Sequence, residues 1–131
     1  MSQENVKRFL DSAEAFNQGD VERMLQDYHP NALIDVRQAE LEGEYLGHDG
    51  LRRFFAEFAE ENEMFEVHYS DVRDLGDRVL GLGTLRITGR RSGIETEGPV
   101  AILASYRDGL CTHLKDYGDH DHALKAAGVR E

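Results

Sequence analysis

The apolar residues of this chain change their spacing near its middle, and this change limits the folds that the chain can adopt. Five of them near the N-terminus recur every three or four residues and so share one face of a helix: Val6, Phe9, Leu10, Ala13 and Phe16. In the segment 65–75 apolar and polar residues alternate, which is typical of a half-buried strand. Helices followed by a run of strands indicate an α+β domain and disfavour a parallel α/β one.

Three helices and two short extended segments are predicted in the first half of the chain. The first helix ends at Gly19, because glycine tolerates the left-handed conformation of a helix end. Asp20 caps a second helix, which carries Tyr28 and ends before His29-Pro30. Three further elements are expected: a strand at 32–36, an extended piece at 43–47 and a third helix over about 49–62.

Four strands joined by tight turns are predicted in the second half, over 65–75, 78–88, 94–107 and 110–117. The Asp108-Gly109 pair is the strongest hairpin signal in the sequence. A short helix follows the last strand. Because Gly81 and Gly83 ease the bending of a long strand, we expect a curved antiparallel sheet with the helices on its concave side. The whole chain, 1–131, is predicted to form a single domain.

Five phrases of the sequence resemble, in their order along the chain, the nuclear-transport-factor-2-like superfamily. They are Asn17-Gln18-Gly19-Asp20, His29-Pro30-Asn31-Ala32, the segment 43–55 (GEYLGHDGLRRFF), Tyr106-Arg107-Asp108-Gly109 and Leu114-Lys115-Asp116-Tyr117. The SnoaL-like polyketide cyclases, the ketosteroid isomerases and the limonene-epoxide hydrolases of this superfamily are the most similar in character. The resemblance implies a cone in which three N-terminal helices fill the concave face of the sheet, and a homodimer formed through the convex face.

The resemblance to ketosteroid isomerases does not extend to their catalytic residues. Those enzymes use a carboxylate base at the end of the first strand, together with a tyrosine and a protonated acid that hold the enolate. Val36 stands at the position of the base. Ser12 or Ala13 stands at that of the tyrosine, and Leu103 at that of the acid. Asp35 is one residue from the base position, which in a regular strand directs it to the opposite face, so steroid isomerisation is disfavoured.

The resemblance to epoxide hydrolases is also incomplete at the site. Those enzymes use an Asp-Arg-Asp arrangement, and Asp116 matches the second aspartate. Gly83 and Leu85 stand where the arginine and its partner aspartate belong. The arginine would orient the carboxylates and stabilise the leaving oxygen, so epoxide hydrolysis by this mechanism is disfavoured.

The SnoaL-type cyclases imply a simpler site, in which one buried carboxylate removes a proton from the substrate. Asp116 is our candidate for this catalytic base, and its alternative role is that of a hydrogen-bonded structural carboxylate. If Asp116 faces inward, alternation along the last strand places Leu114 beside it and His113 on the outer face, as a satisfied interface residue. Six residues are expected to bind the substrate: Tyr28, Tyr45, Phe55, Phe58, Leu85 and Leu103.

The charge of the chain and its cysteine content exclude other functions. Twenty-six acidic side chains against fifteen basic ones give a net charge of −11, which repels phosphate backbones, so we expect no nucleic-acid partner. No apolar run reaches membrane-spanning length, so we expect no membrane partner. Cys111 is the single cysteine and cannot form an internal disulfide, and the N-terminal residues lack the features of an export signal. Together these observations favour the cytoplasm.

No cofactor and no metal ion is expected. The sequence contains no glycine-rich phosphate loop. His120 and His122 are two residues apart, which in a helix directs their side chains away from each other and makes them poor ligands for one ion. We interpret Asp119 as the cap of the last helix and the residues 120–122 as solvated.

Two classes of function remain open on this basis. The first is an enzyme of the isomerase or cyclase type that acts on a small, largely apolar molecule through Asp116. The second is a non-catalytic module that binds an apolar ligand or simply dimerises. The fold agrees equally with both, because one fold supports many functions.

Overall fold

Helices and strands follow one another in the predicted order in the computed structural model, which describes residues 2–38 and 41–129. The elements are α1 (Ser2–Asn17), α2 (Val21–Leu25), β1 (Tyr28–Gln38), β2 (Leu41–Leu46), α3 (Gly47–Glu61), β3 (Asn62–Asp74), β4 (Arg78–Gly89), β5 (Glu95–Arg107), β6 (Leu110–Asp116) and α4 (His120–Ala127). The predicted α+β class is confirmed. In the described part of the chain, no helix is long and apolar enough to cross a membrane.

The six strands form one curved sheet in the order β2-β1-β6-β5-β4-β3, and α1 and α3 pack on its concave side. The predicted cone is therefore confirmed. Strand β6 lies between β1 and β5, pairing in parallel with β1 and antiparallel with β5. The other described strand pairs are antiparallel. The parallel pair was not predicted, because the alternation of side chains along a strand carries no information about its neighbours.

Strand β1 is longer than predicted and begins at Tyr28, which was expected in the second helix. Helix α2 ends at Leu25 instead. The backbone of Tyr28 is paired with that of Cys111, and the register then shifts before Leu33. This irregularity surrounds Pro30, which has no N–H to donate to a neighbouring strand. Pairing with the last strand, which local sequence does not reveal, therefore overrides the helical pattern at Tyr28.

Helix α1 is attached to the sheet at its C-terminal end by the side chain of Asn17. The amide Nδ2 of Asn17 donates to the carbonyl oxygen of Val67 at 2.9 Å, and its Oδ1 accepts from the Val67 N–H at 2.7 Å. Asn17 therefore pairs with β3 as a short strand would. Beyond it, Asp20 caps α2 by accepting from the Arg23 N–H, as predicted.

Strand β3 carries a bulge at Ser70, and the glycines of β4 lie opposite it. Tyr69 is paired with Gly83 but Asp71 with Leu82, so Ser70 has no partner in β4. A bulge of this kind bends the strand and increases its twist. A Cβ atom at Gly83 would overlap the carbonyl oxygen of His68 and lie 2.8 Å from the Tyr69 Cα. The two strands can approach this closely only because residue 83 has no side chain.

Gly81, two residues before Gly83, makes room for two aromatic rings. A Cβ atom at this position would lie 2.5 Å from the Phe9 ring and 2.9 Å from the Tyr69 ring. Those rings pack on each other with their centroids 4.8 Å apart, one from α1 and one from β3. The two glycines predicted to ease the bending of the sheet are thus needed for different reasons. Gly83 lets two strands approach each other, and Gly81 leaves room for two aromatic rings.

The described apolar residues form two clusters, one on each side of the sheet. The larger lies between the sheet and α1 and α3. The smaller lies on the convex side, where Leu80, Leu82 and Ala101 pack against Ala123 and Leu124 of α4. The last helix therefore covers part of the convex face. We expected a second copy of the chain to cover the convex face. In the area around Leu80, Leu82 and Ala101, helix α4 of the same chain covers this face instead.

We predict that Gly83→Ala lowers the free energy of unfolding by about 2–3 kcal/mol, because the added methyl group forces β3 and β4 apart. The matched control is Gly98→Ala in β5, where an added Cβ meets no atom within 4 Å. This control should stay within about 0.5 kcal/mol of the wild type. Urea unfolding measures both. Equal stability of the two variants would contradict a close approach at Gly83.

Candidate functional site

A cavity lies between the concave face of the sheet and helices α1 and α3. The volume of the cavity is about 100 Å³, which is room for several water molecules or a small organic molecule. Its apolar walls are formed by Phe9, Ala13, Phe16, Ile34, Val36, Leu51, Phe54, Phe58, Val67, Leu85, Val100, Ile102 and Leu114. Its polar groups belong to Ser12, Tyr28, Tyr69, Tyr106 and Asp116. The cavity is thus a mostly apolar chamber with a few polar groups, as small-molecule sites are.

Asp116 at the end of β6 places a carboxylate in the cavity wall, with only 1% of the residue exposed. Its Oδ1 accepts from the Gly118 N–H at 2.8 Å and, at 3.4 Å, from the Ala101 N–H. These backbone donors orient the carboxylate and compensate part of the cost of burying it. Asp116 is therefore an oriented, enclosed acid at the surface of an apolar space.

The inward direction of Asp116 follows from the alternation of side chains along β6. Leu114 and Asp116 both line the cavity. Lys115 between them lies on the convex side, where its Nζ is 3.7 Å from the Asp35 Oδ2. Asp35 lies between Ile34 and Val36, which line the cavity, and so is also on the convex side, as its offset from the base position predicts.

Three tyrosines line the cavity: Tyr28, Tyr69 and Tyr106. The Ser12 hydroxyl donates to the Tyr28 oxygen at 3.3 Å. Burial raises the pKa of Tyr28, Tyr69 and Tyr106 well above the ordinary value, and at Tyr69 the nearby charge of Asp116 raises the pKa further. All three hydroxyls are therefore protonated near neutral pH and act as neutral hydrogen-bond donors.

A second, polar groove lies on the far side of Tyr106, at the turn between β5 and β6. It is lined by Glu4, Asn5, Arg8, Gly76, Asp77, Tyr106, Asp108 and Gly109. Within it the Arg8 guanidinium is 3.4 Å from the Asp27 carboxylate. Burial raises the pKa of Asp27, and Arg8 opposes this shift. The ring of Tyr106 thus separates the apolar cavity from a charged surface.

The turn beside this groove has the predicted form. Asp108 and Gly109 both have positive φ, 54° and 79°, which is the backbone of the two-residue hairpin that the Asp-Gly pair indicates.

Four of the residues proposed from the sequence lie together in the cavity wall: Tyr28, Phe58, Leu85 and Asp116. Phe55 instead packs edge-on against the rings of Phe16 and Phe65. The Tyr45 hydroxyl donates to the Glu57 carboxylate at 2.7 Å, and its ring lies under the Arg53 guanidinium. The structure therefore places Phe55 and Tyr45 among the residues that pack behind the cavity.

Leu103 lies outside the cavity, on the convex side of the sheet. It packs with the cluster under α4, whereas its neighbour Ile102 lines the cavity. The alignment that placed Leu103 at a cavity position was therefore offset by one residue. In a strand such an offset moves a side chain to the opposite face.

Tyr69 and Tyr106 line the cavity but were not proposed from the sequence. Tyr69 follows Phe65 and Val67 in the alternating pattern of β3, and Tyr106 follows Ile102 and Ala104 in β5. This alternation predicts that each tyrosine faces inward with its apolar neighbours. The signal was present, but it depends on knowing which face of each strand is concave.

The remaining groups offer neither a metal site nor a nucleophile. In the described ranges, no three His, Cys, Asp or Glu side chains come together as metal ligands. Asp119 caps α4, as predicted, by accepting from the His122 N–H. His120 was expected to be solvated but is partly buried, with its Nε2 3.0 Å from the Gly83 carbonyl oxygen. Burial raises the pKa of the Cys111 thiol to about 12, so the thiol is protonated.

Comparisons with known proteins agree with this architecture. A profile of the SnoaL-like domain family matches residues 6–114 of the 131-residue chain. The structure of TerC co-crystallised with polyporic acid is similar to this chain, with 25% sequence identity, a TM-score of 0.81, and coverage of 95% of this chain and 98% of TerC. No protein of curated function matches the sequence.

Two structures of NTF2-like proteins from Burkholderia are also similar. One, from Burkholderia pseudomallei and of unknown function, has 20% identity and a TM-score of 0.81, and the match covers 93% of this chain and 95% of that one. The other, from Burkholderia thailandensis, has 23% identity and a TM-score of 0.79, with 96% and 98% covered. Because both identities are low, these two likenesses establish the NTF2-like fold and nothing further.

We predict that Asp116→Ala lowers the free energy of unfolding by about 1–3 kcal/mol, because the Gly118 N–H loses its acceptor. Asp116→Asn retains an oxygen at the Oδ1 position and should lose less. The control is Asp35→Ala on the convex face, which should change stability by about 0.5 kcal/mol or less. Urea unfolding tests the order of the three variants, and an Asp116→Ala protein as stable as Asp35→Ala would contradict the role of these backbone bonds.

Proposed function

Because this chain belongs to the SnoaL-like domain family, we propose that it binds a small, largely apolar molecule in the cavity and acts on it with Asp116 as general base. The reaction class is that of an isomerase or cyclase, in which a proton is removed from carbon. The observation that carries the proposal is the enclosed Asp116 carboxylate in the wall of an apolar cavity.

The cavity supplies what proton abstraction from carbon requires. Apolar walls exclude water, and in such surroundings charge interactions are stronger than in solution. The backbone donors at Gly118 and Ala101 fix the direction of the Asp116 carboxylate. Tyr69 is close enough to Asp116 for the charge of this carboxylate to raise the pKa of the Tyr69 hydroxyl. A substrate carbonyl next to the acidic C–H would find hydrogen-bond donors on the same wall.

The similar structure of TerC supports a small organic ligand for this chain. TerC was crystallised with polyporic acid, and it is similar to this chain over nearly its whole length. Polyporic acid is therefore a reasonable first compound for binding experiments.

The alternative is a non-catalytic module that binds an apolar ligand without converting it. The hydrogen bonds that Asp116 accepts from Gly118 and Ala101 favour this alternative, because they also suit a carboxylate that only holds the end of β6 to β5 and to the turn that follows. The two functions make the same prediction for binding and opposite predictions for turnover.

We also propose that the protein forms a homodimer through the part of the convex face that α4 leaves uncovered. Leu33, Ser105 and His113 are neighbours there, on three adjacent strands, and each is half-buried. The Nε2 atom of His113 is buried and has no hydrogen-bond partner in the described part of the chain. The cytoplasm remains our proposal for its location, since Cys111 is the single cysteine and is buried.

We predict that polyporic acid and the enolisable ketone 2-tetralone raise the melting temperature of the wild type. In heavy water, the wild type should accelerate exchange of the acidic C–H protons of 2-tetralone by about 100-fold or more over buffer, as followed by NMR. Asp116→Asn should bind the ketone but exchange at the background rate. Asp35→Asn, on the opposite face, should behave as the wild type.

Two outcomes of this experiment separate the functions. Exchange by Asp116→Asn at the wild-type rate would rule out Asp116 as the base. Binding by the wild type without any exchange would favour the non-catalytic module.

For the dimer, we predict a sedimenting mass of about twice the 14.8 kDa of one chain. His113→Glu adds a charge to the proposed interface and should shift the protein to the monomer, because a buried unpaired charge costs several kcal/mol. Gln18→Glu adds the same charge at an exposed site on the helical side and should remain dimeric. A wild type that sediments as a monomer at about 100 μM would contradict the proposal.

A further inference from the structure

The apolar cavity and the polar groove lie end to end and have one wall in common. Among the described residues that line these two spaces, Tyr106 is the one that lines both. On β5 the cavity residues end at Tyr106, and the turn at 108–109 that follows lines the groove. On α1 the cavity residues begin at Phe9, directly after the groove residues Glu4, Asn5 and Arg8. Both elements therefore pass from one space into the other at the level of Tyr106.

Tyr106 is held in place at this boundary. Its backbone N–H donates to the carbonyl oxygen of Asp77 at 2.7 Å, which ties it to the groove side. Although it lines two spaces, only 7% of the residue is exposed. Tyrosine suits such a position, because its ring is apolar and its hydroxyl group is polar.

The positions of Asp116 and Tyr106 give the length of the cavity on this side. Asp116 in β6 is paired with Ile102 in β5, and both line the cavity. Tyr106 lies four residues further along β5, which is about 13 Å at the usual rise of a strand. Val100 continues the wall in the other direction. A ligand placed at Asp116 can therefore extend towards the turn only as far as the Tyr106 ring.

We propose that Tyr106 determines the length of the ligand that the cavity accepts, because its ring closes the end of the cavity next to the polar groove. The groove behind the ring has a volume of about 470 Å³, against about 100 Å³ for the cavity. Space for a longer ligand therefore exists, and the Tyr106 ring withholds it. This inference rests on the ligand-binding part of the proposed function and adds to it a residue that determines specificity.

The test uses straight-chain primary alcohols of about six to twelve carbons, titrated into the protein by calorimetry. In the wild type each added carbon should tighten binding about threefold to fourfold until the chain reaches the ring, and longer chains should gain nothing more. In Tyr106→Ala the affinity should continue to rise beyond this limit. Tyr106→Phe keeps the ring and should keep the wild-type limit.

A second series shows whether the longer chains enter the groove. The same alcohols with an amino group at the far end place an ammonium group there, close to the carboxylates of Glu4, Asp77 and Asp108. Tyr106→Ala should bind the long amino alcohols at least about tenfold more tightly than the wild type, which would leave the ammonium group in apolar surroundings. Adding Asp77→Asn to Tyr106→Ala should weaken this binding.

The matched control for a larger cavity is Leu85→Ala. Leu85 lines the cavity far from Tyr106 and is paired with Gly98 at the other end of β5. This variant enlarges the cavity without opening it to the groove, so it should bind the long amino alcohols no better than the wild type. An equal gain in Leu85→Ala and Tyr106→Ala would overturn the special role of Tyr106.

Loss of a buried ring destabilises a protein, so a milder variant accompanies Tyr106→Ala. Tyr106→Leu should move the length limit in the same direction by a smaller amount. Circular dichroism at the temperature of the titration verifies that each variant is folded.

The results distinguish the failure of this inference from the failure of the proposed function. A length limit that stays unchanged in folded Tyr106→Ala or Tyr106→Leu would overturn the inference and leave an apolar binding cavity in place. A wild-type affinity that rises over the whole series would overturn it as well. No binding of any alcohol to the wild type would reject the ligand-binding function on which the inference rests.

Discussion

The close approach of β3 and β4 at Gly83 is the constraint on which the remaining structure depends. The bulge at Ser70 turns β3, and residue 83 must lack a side chain for the His68 carbonyl to lie where it does. A flat sheet would lie against α1 and α3 along its full length. The bent sheet instead leaves space between itself and these helices, and Gly81 lets Phe9 and Tyr69 close one side of that space.

The polar groups of the site follow from this geometry and from strand alternation. Asp116, Tyr69 and Tyr106 each occupy an inward position on a strand, and Tyr28 lines the cavity from the first position of β1. Groups on strands are held more precisely than groups on loops. Oriented donors and a fixed carboxylate in an apolar space are suited to proton transfer at carbon, because they need little rearrangement when charge develops.

Sequence reasoning predicted the class and the order of the elements, since these depend on local patterns such as the Asp-Gly hairpin. Alternation along β6 gave two possible directions for Asp116 and left the choice open, because it does not show which face of the strand is concave. Sequence reasoning did not predict features set by distant parts of the chain. Tyr28 is in a strand because it pairs with Cys111. Leu103 was assigned to the cavity through an alignment that was one residue out of register, and that error reversed its face. Tyr69 and Tyr106 were missed because the curvature that makes them neighbours of a cavity is a property of the whole sheet.

The central position of β6 has a consequence for how the protein is made. This strand joins β1 and β2 to the β3-β4-β5 part of the sheet, yet it is the last strand to be synthesised. The positions from 38 to 116, about 80 residues, take roughly 4–16 s to translate, and during this time β1 lacks its partner on one edge. Strand β5 ends at Arg107 and lacks its partner only while the last of these residues are added. A nascent chain on the ribosome therefore holds two incomplete half-sheets. Strand β6 converts them into one enclosed chamber only after the other five strands have been translated.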